Sequence, residues 1–163
     1  VREAISYLRS LQACPLIVFV GHISRTAYAD ENTVLSAMEI LREATPYWAA
    51  HGTPCGFDLV VKKIADYIGL NRFEVAHTSR AKDGSILRDV GLLDGADMLV
   101  AFPQEKYPEQ DAQCRVIKQP KTRSNWRTAD VEITTMAESM GVPVLVVYRD
   151  ASTLWVPGAS YVQ

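Results

Sequence analysis

Short apolar runs alternate along the chain with stretches in which apolar residues recur every three or four positions. The runs are "LIVFV" (16–20), "YWAAH" (47–51), "RFEVAH" (72–77), "DMLVAF" (97–102) and "PVLVVY" (143–148). Each has strand length and is bounded by turn-forming residues, so each predicts a β-strand. Between them, Val34, Leu35, Met38, Ile40 and Leu41 share one helical face, and Leu59, Val60, Ile64 and Ile68 share the next. Ile86, Leu87, Val90 and Leu93 mark a third helix, and Val131, Ile133, Met136 and Ala137 a fourth, which Gly141 and Pro143 close. The opening residues 1–14 read as one further amphipathic helix. Strands that are apolar almost throughout are expected to be covered on both faces, as in a parallel sheet between helices. The pattern therefore predicts an α/β fold, a Rossmann-like three-layer α/β/α domain over residues 1–163 with a mainly parallel five-stranded sheet.

Composition narrows the choice. The 163 residues are 48% hydrophobic and 22% charged, which suits one domain with a sizeable core. A formal charge of −2 gives no basic excess, so binding to duplex nucleic acid by phosphate neutralisation is not expected. Cys14, Cys55 and Cys114 are odd in number and widely spaced, which argues against a disulfide framework and a structural zinc site, and for a reducing cytoplasm. No apolar run is long enough to cross a bilayer, and the first residues do not read as a signal peptide. The chain begins at Val1 and not at Met, as a fragment or a processed chain does.

In such a fold the ligand lies outside the carboxyl ends of the strands, near the point where strand order reverses. The predicted rim carries "GHISRT", "HGTPCGFD", "HTSRAKDGS" and "PQEKY". Gly21 ends the first strand. Gly52 and Gly56 would let the backbone approach a phosphate or ribose, and Thr53 adds a hydroxyl. Asp58, in the first turn of its helix, is placed either to accept a ribose hydroxyl or to cap the helix. Arg25 and Arg88 are planar donors suited to phosphate, and Ser24 is a hydroxyl donor beside the first of them. The histidines His22, His51 and His77 all fall on the rim, but no pair has the spacing of a metal-binding helix, so no metal is expected. No cofactor is expected either.

Four fragments occur in a recognisable order. They are Ser24-Arg25 after the first strand, Gly52, Gly56 and Asp58 after the second, Arg88-Asp89 in the segment that includes Gly84, and Asp97 with Ala101-Phe102. In these the chain resembles the SLOG superfamily, Rossmann-like nucleotide-binding domains named after DprA and the LOG enzymes, and most of all its small YspA-like members. The resemblance covers roughly residues 15 to 148 and implies a nucleotide or nucleotide-derived ligand on the rim. LOG enzymes carry a Pro-Gly-Gly-x-Gly-Thr loop after the fourth strand, which this chain lacks. Residues 103–127 instead form a long insertion whose later part is basic, with Lys118, Lys121, Arg123 and Arg127 ahead of Thr128. A loop of this length is usually functional or disordered, and its basic residues are suited to an anionic ligand.

Three function classes stay open. The first is a sensor or sequestering domain for a nucleotide, with homo-oligomers as a further expectation and no membrane partner. The second is an N-glycosidic enzyme, a nucleotide phosphoribohydrolase or a nucleoside deoxyribosyltransferase-like protein, in which Glu132 would be the catalytic carboxylate. Asp130, two residues earlier, reads as a surface group that complements the helix dipole. The third is a scaffold for protein or single-stranded DNA. The missing glycine loop favours the binder over the enzyme.

Overall fold

The computed structural model describes residues 1–53, 55–75, 91–105, 112–113 and 121–158. Within them lie helices α1 (Arg2–Ser10), α2 (Tyr28–Ala44), α3 (Phe57–Ile68) and α4 (Thr128–Ser139). The strands are β1 (Leu16–Gly21), β2 (Trp48–His51), β3 (Arg72–Glu74), β4 (Met98–Phe102), β5 (Val144–Val147) and β6 (Thr153–Val156). Of the expected third helix only residues 91–93 are described, and they are helical.

The strands join in the order β3-β2-β1-β4-β5-β6. The first five run parallel, and β6 pairs antiparallel with β5, placing Leu145 opposite Trp155. The fold is thus the expected Rossmann-like α/β type, with six strands where the pattern predicted five. The sixth escapes the pattern because "TLWV" is four residues long and only partly buried. Its turn is also poorly signed: Ala151 holds φ 67°, a conformation usually signalled by glycine or asparagine.

Alternation along β1 divides the core. Ile17 and Phe19 pack with Ala4 and Leu8 of α1, Val34, Met38 and Leu41 of α2, and Val61 and Ile64 of α3. Val18 faces the other way, with Ala50, Leu99, Trp126 and the α4 residues Ile133 and Ala137. Helices therefore cover both faces, which explains why the central strands are apolar throughout. Among the described residues no helix is long and apolar enough to cross a membrane.

This order reverses direction between β1 and β4. Chain leaving β1 and β2 enters α2 and α3 in one layer, whereas chain following β4 returns as α4 in the other. The carboxyl ends of β1 and β4 therefore open into a crevice between the first turns of α3 and α4.

Candidate functional site

A cavity of about 220 Å³ occupies that crevice. Its walls are Val20, Gly21, His22 and Ile23 from the end of β1, Cys55, Phe57 and Asp58 from the start of α3, and Ala129, Asp130 and Ile133 from α4. Gly21 is required by packing, because a Cβ there would stand 2.6 Å from the ring of Phe57.

The glycine turn is not an open phosphate cradle. The Gly52 N–H donates to Asp58 Oδ1 at 3.1 Å, and a Cβ on Gly52 would meet Asp58 Oδ2 at 2.7 Å. The carboxylate of Asp58 thus occupies the place that the two-glycine pattern suggested for an anion. Thr53 accepts the Cys55 N–H on its carbonyl at 2.7 Å. Gly56, with φ 55°, caps the amino end of α3 and lies under Ile23, whose Cγ1 would be 2.6 Å from a Cβ.

Asp130 is the charged residue that the sequence reading misplaced. It is only 7% exposed and lines the cavity; the Gln104 N–H donates to its Oδ2 at 2.9 Å. Burial pushes its carboxyl up to about 6, against the opposing pull of that hydrogen bond and of the positive charges of Arg25 and Arg127. Glu132, the expected catalytic carboxylate, is exposed and does not line the cavity. The reason is helical geometry: Ala129, Asp130 and Ile133 share the cavity-facing side of α4, and position 132 falls off it.

Arg25 is likewise corrected. Its guanidinium is fully buried, with Nε donating to Asp30 Oδ1 at 2.9 Å and Nη1 to the carbonyls of Val147 at 2.7 Å and Pro103 at 3.4 Å. It also lies over the Phe102 ring, 5.4 Å from its centroid. Arg25 therefore ties the β1–α2 loop to the ends of β4 and β5, and burial removes it from contact with a ligand on the rim. Asp30 accepts the Ala27 N–H at 3.1 Å as well, which fixes the start of α2.

Ser24 is exposed, and its Oγ lies 2.6 Å from His22 Nδ1 and 3.3 Å from Gln104 Oε1. The Ser24 N–H also donates to His22 Nδ1, at 3.1 Å. Accepting that bond places the imidazole proton on Nε2. Burial, with the charges of Arg127 and Arg149, holds the His22 pKa below its ordinary value. His51 is buried elsewhere, with Nδ1 2.7 Å from the Gly52 carbonyl. Among the described residues no group of three His, Cys, Asp or Glu is placed to hold a metal.

The ends of the insertion are fastened to this site. Glu105 bridges Trp126, and the Arg127 N–H donates to the Gln104 carbonyl at 2.9 Å. Arg127 precedes Thr128, the exposed first residue of α4. Lys121 pairs with Asp150, and Arg123 forms a two-pronged ion pair with Glu138. Gln104 was not legible as a site residue, because its importance lies in backbone groups that say nothing in a sequence. Gly84, Arg88, His77 and Lys118 lie outside the described residues.

No family model matches this chain, and no curated protein or solved structure matches it.

Proposed function

We propose that the protein binds a nucleotide or nucleotide-derived ligand at the carboxyl rim of the sheet, as a sensor or sequestering domain. The observation that carries this reading is the cavity above the β1 end, beside the reversal of strand order and walled by the first turns of α3 and α4. Parallel sheets bind ligands at that point because loops there diverge while helix amino ends converge. The ordered fragments that resemble SLOG domains support the same ligand class. At about 220 Å³ the cavity is smaller than the roughly 300–1,000 Å³ that encloses a drug-sized ligand, so it suits one part of a nucleotide, the rest lying over the mouth.

Cleavage of the N-glycosidic bond is the second reading, and it rests on Asp130 in place of Glu132. A buried carboxyl with its pKa at about 6 is suited to give a proton to a departing base near neutral pH.

Mass spectrometry of small molecules released from the purified protein, followed by thermal unfolding with a nucleotide panel, tests the binding reading. At least one nucleotide is expected to co-purify or to raise the midpoint, since a ligand at about 100 times its Kd adds roughly 2.7 kcal/mol. A chain that releases no nucleotide and is stabilised by none would refute it. Free base in the same mixtures, abolished by Asp130→Asn and untouched by Glu132→Gln, would establish the enzyme.

A further inference from the structure

The two edges of the sheet differ in chemistry. On one, β3 carries Arg72, held by Asp66, and the exposed Glu74, and charge on an edge strand discourages pairing with another strand. On the other, β6 reads Thr-Leu-Trp-Val without a charge, and no described strand lies beyond it. Hydrogen bonding across an antiparallel pair alternates, so its phase on β5 fixes where the backbone groups of β6 point. The Tyr148 N–H donates to the Ser152 carbonyl at 2.8 Å, and in the same register the next bonded pairs are Val146 with Leu154 and Val144 with Val156. Thr153 and Trp155 fall between these, so their N–H and C=O groups face the open edge. Trp155 packs on the α1 side, 5.7 Å from Tyr7 between ring centroids, whereas Leu154 lies on the opposite face and is 44% exposed.

We propose that β6 is the interface of a homodimer, pairing antiparallel with β6 of a second copy about a two-fold axis through Leu154. Thr153 then faces Trp155 of the other copy, and each such pair exchanges both backbone bonds, which uses every group left open between them. Leu154 meets its own counterpart at a non-bonded position, where Cα atoms approach to about 4.5 Å and side chains touch. The ladder has natural ends: Pro157 has no N–H, and Ala151, at φ 67°, has left the strand. No like charges meet across the axis, because residues 152–156 are all uncharged, and the same lack of charge gives an acidic or basic peptide nothing to pair with. One short strand would make a small contact, and both flanking layers widen it. Tyr7 of α1 lies on one face; on the other, a Cβ on Gly158, just past β6, would stand 2.6 Å from the Gly141 carbonyl, which brings the exposed Met140 at the end of α4 beside the strand. The two chains then share one continuous sheet. Their crevices open at opposite rims, so the dimer leaves both accessible and does not depend on the ligand.

The test is sedimentation equilibrium of the full chain from low-micromolar to hundred-micromolar concentration, in which wild type is expected to form a reversible dimer. Leu154→Lys and Leu154→Glu each set like charges on the axis and should weaken that dimer about tenfold or more. An equimolar mixture of the two should restore it, because residue 154 meets itself only across a two-fold axis. A wild type that stays monomeric throughout overturns the proposal. So does a dimer that neither charge weakens, or one that the mixture fails to restore. A crosslinking measurement decides the matter even where a charged variant folds poorly. With Cys14, Cys55 and Cys114 replaced by serine, Leu154→Cys should link two chains under oxidised glutathione, since a non-bonded antiparallel pair has the spacing of a disulfide. Phe73→Cys, at a comparably exposed position on the opposite edge, should not. Equal crosslinking of the two variants, or none through position 154, would overturn the β6 interface.

Discussion

Asp130 and Glu132 are two positions apart on α4, about 200° around the helix, and only the first reaches the cavity. Sequence alone favours Glu132, because an early-helix glutamate matches a known chemical setting, whereas Asp130 looks like a dipole-complementing surface group. Burial reverses that order, and it can be measured. The folded pKa of Asp130 lies at about 6, above the ordinary 3.8, so the native state holds a proton that the unfolded chain releases. The resulting stability is present below the unfolded value and is lost as pH rises through the folded one. Over that interval wild type should lose roughly 3 kcal/mol through this group. Asp130→Asn cannot ionise, so its stability relative to wild type should improve between pH 4 and pH 7. Urea unfolding of both proteins at the two pH values measures the difference. Carboxyls with lowered pKa values, such as Asp66 and Glu138, act in the opposite direction but cancel between the two proteins. A stability difference that does not change with pH would show that Asp130 is not buried as described.

At the level of elements, the β2–α3 turn shows what the pattern could and could not reveal. Strand, glycines and helix were all legible, because a strand run gives way to helical periodicity across Gly52 and Gly56. What the glycines accommodate was not legible, since the answer is contact with the protein itself: Asp58 over Gly52 and Ile23 over Gly56. Gly56 combines φ 55° with ψ −126°, backbone that a side chain strains by about 1–3 kcal/mol. Gly56→Ala should cost that much, plus whatever displacement of Ile23 requires. Ile23→Ala removes the second part, so the double variant should be more stable than the sum of the single effects. Chemical denaturation of the four proteins closes the cycle, and strict additivity would mean that the two residues do not touch. Arg25 illustrates the same limit. A guanidinium after β1 suggests phosphate, yet the groups that bury it, the Val147 carbonyl and Asp30, are separated from it by 122 and 5 positions.

For the whole molecule, β1, β2, β4 and β5 were visible as apolar runs because burial on both faces leaves little polar alternation to read, whereas the edge strand β3 is largely exposed. Strand order was accessible only as a rule, and the observed reversal between β1 and β4 places the crevice where that rule expects it. The same arrangement supplies a test of occupancy that assumes no chemistry. Cys55 and Cys14 are both exposed, but only Cys55 lines the cavity; Cys14 lies in the α1–β1 connection, with Sγ 3.5 Å from the Pro46 carbonyl. In a Cys114→Ser background these two thiols report separately under a maleimide, with Cys14 as the internal control. A ligand in the crevice should slow labelling of Cys55 several-fold and leave Cys14 unchanged, because shielding requires contact, whereas general tightening of the fold would slow both. Peptide mapping after timed labelling, with and without a nucleotide that raises the unfolding midpoint, separates these outcomes. Protection of neither thiol by such a nucleotide would mean that it binds away from the β1–α3–α4 crevice.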